Sequence, residues 1–289
     1  MKIQEIFDNI YCVDTLFNNE ERLIASYILD FEHAAIIETG PKSVAENVAN
    51  AVREIGIRDV KFIFITHVHL DHGGGATALA KKFPDARIIC HPKAAKHVVN
   101  PEKLWRVSIE LSPLAETYGK PDPIEDHRVL PVSDNERIDL EGITLRAIHT
   151  PGHASHHVSY FIEDLGILFP GDSAGMCAEG SLILATPPSF HKQLFLESLE
   201  KMKKLNPAYI GYTHFGLFNA NGLLEKVEKI VTVWSEIAKK SRNLEEFKRI
   251  LFETDEDLKN FHHLYKNSEI MKSWIDLGIR GFFESVKKR

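Results

Sequence analysis

The run His67-Val68-His69-Leu70-Asp71-His72, inside FIFITHVHLDHGGG, places four metal-ligating side chains within six residues. Folding alone gives no reason for that density. Imidazole and carboxylate groups are ligands for divalent transition metals, and this many at such spacing hold the backbone close to one or two ions. A lone histidine would read as a polar loop residue; three histidines and an aspartate at a strand end do not. The strand is Val60 to Thr66 (VKFIFIT), whose β-branched and aromatic content reads as buried. The ligands begin where it ends. Gly73, Gly74 and Gly75 then let the chain turn into a helix, ATALAKKF, stopped by Pro84, which frees the intervening loop to wrap around metal.

The HxHxDH pattern resembles the signature of the metallo-β-lactamase superfamily, and three later segments occur in that superfamily's order. His153 stands in HTPGHASHH after the alternating strand Ile143 to Ile148, Asp172 in LFPGDS after Ile167 to Phe169, and His214 in IGYTHFG after Tyr209 to Tyr212. Each follows an apolar strand, which lets ligands distant in sequence converge at one edge of a sheet core. The resemblance implies His67, His69 and His153 on one ion, Asp71, His72 and His214 on a second, and Asp172 between them. It implies two divalent ions, zinc first, with iron or manganese as alternatives. The usual Asp-Thr-Gly of the superfamily is here Glu38-Thr39-Gly40, a departure that removes no ligand. Cys12, Cys90 and Cys177 lie outside these motifs and read as small buried hydrophobes.

The remainder of the chain reads as mixed α/β; the resemblance makes of this the αβ/βα four-layer sandwich with a C-terminal helical extension. Two hairpin-like strands (SYILDF, HAAIIETG) precede a helix from Val44 to Ile55, with Ser43 and Glu46 as a capping box and Gly56 as its stop. A second strand group comprises ARIICH, GITLRAIH and HHVSYFIEDLGILF, followed by a helix from Ser189 to Leu205 with Phe195, Leu199 and Met202 on one face. Pro101 to Pro131 forms an insert, a helix carrying Trp105, Leu111, Leu114 and Tyr118 and then a Pro-rich loop, read equally as a flap over the metals or a cap on the sheet. From Gly222 the chain turns helical: Leu223, Val227, Ile230, Trp234 and Ile237 form a stripe, a second helix runs from Leu244 to about Phe252, and short pieces reach Phe283. The expected division is a metal-binding domain over 1–220 and a helical region over 221–289.

With 289 residues, 44% hydrophobic, the chain can bury a sizeable core. No stretch approaches the roughly 18 apolar residues of a membrane span, and the start MKIQEIFDNIYCVDTLF lacks a signal peptide's order, so the expectation is a cytoplasmic protein without membrane contact. A net charge of −6 argues against nucleic acid as a partner, and a small molecule is the expected ligand. The tail's stripe must be covered by the sandwich or in a homodimer.

Two divalent ions about 3.5–4 Å apart can hold a bridging water as hydroxide at neutral pH, with Asp71 or Asp172 as the catalytic carboxylate that orients it or accepts its proton. Hydrolysis of a small ester-like bond, a thioester or lactone, is the first reading, on the pattern of glyoxalase II and the lactonases. A phosphodiesterase or ribonuclease of the same superfamily is the alternative hydrolase, and an iron-dependent persulfide dioxygenase the alternative class. His149, His156 and His157 crowd the third motif and are candidates to hydrogen-bond a ligand. Met176, Phe190, His191, Tyr212 and Phe215 divide between pocket lining and packing, while Ser155 and Ser173 read as turn residues.

Overall fold

The computed structural model describes residues 2–287. Strands with alternating side chains build two sheets. The first runs in chain order: β1 (Lys2–Phe7), β2 (Ile10–Asp14), β3 (Ala25–Leu29), β4 (Ala35–Ile37), β5 (Phe62–Phe64), β6 (Arg87–Cys90) and β7 (Val129–Pro131). It is antiparallel as far as β4 and parallel from there to β7. The second contains β8 (Arg137–Asp139), β9 (Thr144–His149), β10 (Val158–Ile162) and β11 (Ile167–Phe169). A separate hairpin, β12 (Met176–Ala178) with β13 (Ser181–Ile183), precedes its last strands, β14 (Tyr209–Tyr212) and β15 (Gly216–Asn219). In space the order is β15-β14-β11-β10-β9-β8.

Because successive strand residues point to opposite faces, each strand feeds two layers. Tyr27 on β3, Phe64 on β5 and Tyr160 on β10 lie between the sheets, whereas their neighbours Ile28, Ile63 and Phe161 pack outward. Between the sheets Tyr27 meets Phe169 at 4.7 Å between ring centroids and Phe64 meets Tyr160 at 5.0 Å. Both phenols donate out of this core, Tyr27 to the Tyr212 carbonyl at 2.7 Å and Tyr160 to that of Ile65 at 3.0 Å, so neither of these two hydroxyls is stranded. Truncating Phe64 or Phe169 to alanine costs about 3–5 kcal/mol.

Helices α1 (Ala45–Ile55), α2 (Leu70–Gly73), α3 (Ala76–Lys82), α4 (Pro92–Val99) and α5 (Glu102–Leu111) lie on the side of the first sheet; α1, α3 and α4 bury Val48, Leu79 and Val98 against Ile36 and Ile63. On the other side α6 (Lys192–Lys204), α7 (Leu223–Lys240), α8 (Leu244–Thr254), α9 (Glu256–Leu264) and α10 (Glu269–Lys287) share one apolar cluster with Phe161, Leu168 and Ile210 of the second sheet. The result is the four-layer α/β/β/α arrangement. No helix among the described residues is long and apolar enough to cross a membrane, and all three cysteines are free and buried.

Several local expectations give way to packing. ARIICH is β6 and belongs to the first sheet, because helical crossovers before and after it bring the chain back to lie parallel beside β5 and then β7. The Ser43–Glu46 capping box does not form: a 3₁₀ turn, Lys42–Val44, leads into α1, and Glu46 pairs with Lys82 and Arg53. Gly56 does end α1, with φ 105°. His191, not Ser189, caps α6, its Nδ1 accepting from the Leu194 amide at 3.4 Å. Asp71 and His72 sit on the helical turn α2 and not in an open loop. The chain's end, read as short pieces, is one helix of 19 residues, α10. It lies so close to the segment after β13 that a Cβ on Gly281 would stand 2.1 Å from the Thr186 carbonyl oxygen.

Candidate metal centre

Strands β4 to β7 are parallel, and so are β11 and β14, while β9 runs with β11 because both are antiparallel to β10. The carboxyl ends of β5, β9, β11 and β14 therefore open on one rim. His67 follows β5, His153 follows β9, Asp172 follows β11 and His214 follows β14. The single turn α2 brings Asp71 and His72 round to the same place. All seven predicted side chains meet there.

They form two groups that share a carboxylate. His67 Nε2, His69 Nδ1 and His153 Nε2 converge, with pairwise separations of 2.9, 3.1 and 2.9 Å. His72 Nε2 and His214 Nε2 lie 3.2 Å apart, each 3.8 Å from Asp71 Oδ2. Asp172 stands between, its Oδ1 3.3 Å from His72 Nε2 and its Oδ2 3.4 Å from His153 Nε2. In a tetrahedral zinc site with bonds of about 2.0–2.1 Å, ligand nitrogens lie roughly 3.3 Å apart, so these spacings suit a common cation.

Hydrogen bonds behind the ring set the direction of each imidazole. His67 Nδ1 meets Thr66 Oγ1 at 3.0 Å, His153 Nδ1 the Ala185 carbonyl at 2.8 Å, and His214 Nδ1 the Leu23 carbonyl at 2.7 Å. His72 Nδ1 is held by Glu38 Oε2. With their Nδ1 protons committed to these oxygens, the Nε2 lone pairs of His67, His72, His153 and His214 all face inward. Lone pairs facing one another at about 3 Å repel unless a cation lies among them, and Asp172 Oδ1, buried, has no hydrogen-bond donor. The donor set fits divalent metal.

The sequence model of the Metallo-beta-lactamase superfamily matches residues 13–214, a span that contains every one of these side chains. The chain belongs to the metallo-β-lactamase superfamily. It is 30% identical over 191 residues to a metallo-beta-lactamase fold-containing protein of Sulfurisphaera tokodaii, covering 64% of this chain and 72% of that one. A solved archaeal metallo-beta-lactamase superfamily protein from Sulfolobus tokodaii superposes with TM-score 0.73 at 26% identity, over 91% of this chain and 94% of that one. A hydroxyacylglutathione hydrolase of Aeromonas salmonicida is 34% identical over 133 residues, 46% of this chain and 40% of its own length.

Electrostatics in this metallo-β-lactamase centre follow from burial and crowding. Burial, followed by the neighbouring imidazoles, pushes His67 and His69 well below their ordinary range, which keeps them neutral as ligands must be. Burial acts against ionisation of Asp172, yet His72, His153 and His214 outweigh it and hold the carboxyl well below the usual carboxylate range. Burial likewise opposes charge on His72, and Asp172, Glu38 and Asp71 reverse it, raising His72 well above 6.5. A proton on His72 thus stands in for the cation in the metal-free protein, and a bound metal would displace it to reach the Nε2 lone pair.

Of the three histidines beside the third motif, only His157 supports a predicted ligand directly. Its Nε2 accepts the Asp172 backbone N–H at 3.2 Å while its Nδ1 lies 2.9 Å from Thr150 Oγ1. Gly171 makes room for it: with φ 52°, a Cβ there would lie 2.7 Å from His157 Nε2. His149 packs against His91 with the rings tilted, and His156 Nδ1 is buried without a hydrogen-bond partner. Met176 lines the mouth of the centre; Phe190 packs against Phe195 and Phe282, His191 caps α6, and Tyr212 and Phe215 pack in the cores. Ser173 donates to the Thr150 carbonyl at 2.8 Å, as a turn residue does.

Sequence reasoning passed over Glu38 as a residue of use. It accepts from the Thr66 amide at 2.8 Å and from Thr213 Oγ1 at 3.1 Å besides holding His72, tying together the approaches to the first and last motifs. The signal was present in Glu38-Thr39-Gly40 at a strand end. Also unanticipated is Trp274 of α10, whose ring sits 4.7 Å from that of His214 and whose indole N–H donates to Tyr118 O at 2.7 Å. The insert from 101 to 131 therefore does reach the mouth, through Ser108, Leu111 and Tyr118, whereas Trp105 is absent from the lining.

Proposed function

We propose that the protein hydrolyses a small ester-like bond, a thioester or lactone, with two divalent ions, zinc first, held by His67, His69 and His153 on one side, Asp71, His72 and His214 on the other, and Asp172 between them. One observation carries this reading: the two oxygens of Asp172 face different histidine groups, as a bridging carboxylate requires. Divalent ions in such a set supply hydroxide at neutral pH and Lewis acidity toward a carbonyl oxygen.

The chain's own residues do the rest. Asp172, ionised, provides shared counter-charge to both halves of the centre. Asp71 is 17% exposed at the mouth, where it can hold the proton given up by the attacking water and return it to the leaving oxygen or sulfur. Water adds to the carbonyl carbon, the C–S or C–O bond breaks, and acid and thiol or alcohol leave. Glu38, Thr66 and the Leu23 and Ala185 carbonyls keep the imidazoles fixed while charge develops. The hydroxyacylglutathione hydrolase resemblance supports a thioester, and the lack of Lys and Arg among the described lining residues supports a substrate other than a phosphodiester.

The test is metal analysis of the native protein together with thioester, lactone and phosphodiester substrates. The expected result is two ions per chain and cleavage of a thioester or lactone. Turnover of phosphodiesters alone would overturn it.

A further inference from the structure

We propose that the mouth selects an uncharged substrate with an alkyl acyl group, so that the ester cleaved is an aliphatic thioester or lactone and not an anionic peptide thioester. This rests on the ester-hydrolase reading and narrows it. The walls come from four places: α2 at the centre, the insert with α5, β12, and α10 with the segment after β13. Leu70, Ala115, Met176, Pro187, Trp274 and Leu277 give them their character. Among the described lining residues there is no lysine or arginine, and the two carboxylates, Asp71 and Asp172, already belong to the centre.

Three of the wall's polar donors are already used. Ser108 Oγ donates back to the Leu104 carbonyl at 3.0 Å, Thr186 Oγ1 to the Gly278 carbonyl at 2.7 Å, and the Trp274 indole N–H to the Tyr118 oxygen at 2.7 Å. A ligand carboxylate held against these walls would lose water and find no lysine or arginine, and the ions that the floor would hold are taken up by the reacting carbonyl; burial of a charge without a partner is strongly unfavourable. An alkyl chain meets the opposite conditions. The cavity holds about 140 Å³, close to the size of apolar cavities that take up a benzene-sized molecule, a space that the reacting group and the first few carbons of a chain would share. Beyond it lies Leu111 of α5, 53% exposed at the rim, an apolar surface along which a longer chain can continue.

The experiment is calorimetric titration of the metal-loaded full chain with two thioethers that share an octyl group and cannot be hydrolysed, S-octyl-N-acetylcysteamine and S-octylglutathione. The neutral ligand should bind at least about tenfold tighter, and shortening its chain should weaken binding by about three- to fourfold per methylene removed. Leu277→Arg, which puts a cation in the wall, should recover S-octylglutathione binding. Equal or tighter binding of S-octylglutathione to the unaltered protein, or no dependence on chain length, overturns the proposal. Turnover of the corresponding octanoyl thioester and lactone is measured beside it. Hydrolysis with a preference for the glutathione ligand overturns only the mouth's selectivity; tight neutral binding without hydrolysis of either ester overturns the ester reading instead.

Discussion

The floor and the walls of the mouth are built on opposite principles. The floor is polar, buried and over-determined: four imidazoles are each aimed by a second hydrogen bond, and Glu38 alone joins three groups. The walls are apolar, come from an insert and a terminal helix, and are held by stacking, with Phe17 lying on Tyr118 at 5.3 Å and on Trp274 at 6.5 Å between ring centroids. The difference separates two jobs. Chemistry demands groups fixed to fractions of an ångström and so uses strand ends and hydrogen bonds, whereas selection among substrates demands shape and polarity, which the additions around the rim provide.

The sharpest way to break this division is at the floor. Asp172→Ala removes the counter-charge shared by both halves and should cut kcat/KM by on the order of 10³ or more, given that loss of one stabilising donor in a catalytic site costs ~10²–10³. Metal content should fall with it. Retention of both would place the chemistry elsewhere.

Next in size is a change in the helical layer. Trp234 of α7 is 1% exposed, packs on Phe247 and Phe282, and donates its N–H to Asp255 Oδ2 at 2.7 Å. Trp234→Ala should lower stability by about 3–5 kcal/mol in denaturant titration, because the cavity cannot collapse between helices already packed on the sheet. Metal affinity of the folded fraction should hold. If affinity fell in step with stability, walls and floor would be one unit.

Glu38→Ala should leave the protein folded but weaken metal binding by about 10–100-fold, as loss of a carboxylate behind a ligating histidine does. Competition with a chelator measures it, and Glu38→Gln, which keeps an acceptor for His72 Nδ1, should lie between. An unchanged affinity in Glu38→Ala would reduce this residue to packing.

The smallest effect is a pH dependence. Burial pushes His156 down to about 4 from 6.5. The unfolded chain binds a proton between those values that the folded chain refuses, so stability is full above about 6.5 and declines as pH falls toward 4. Melting curves of metal-free protein should show this decline, and His156→Gln should flatten it while costing far less activity than Asp172→Ala. A slope unaffected by the substitution would assign the decline to other buried histidines.

How legible each region was follows from the range of the interactions that make it. Four of the ligands and their shared strand were readable because HxHxDH is local, and the three later ligands because each stands directly after an apolar strand. Glu38 was legible only as a departure from a pattern, since its partners Thr66, His72 and Thr213 are far off in sequence. The walls left almost no trace. Nothing near Trp274 in the sequence announces that α10 crosses to His214, because that placement depends on close approach at Gly281 and on stacking with Phe17 and Tyr118, both long-range. The misassigned β6 and the caps of α1 and α6 failed for the same reason: local preference lost to tertiary contact.

The central claim, that seven side chains form one centre for two cations shared through Asp172, is tested most directly by anomalous diffraction from crystals of the metal-loaded protein. Two peaks about 3.5–4 Å apart are expected, one beside His67, His69 and His153, the other beside Asp71, His72 and His214, with Asp172 reaching both. A single peak at full loading, or metal bound away from Asp172, would contradict it.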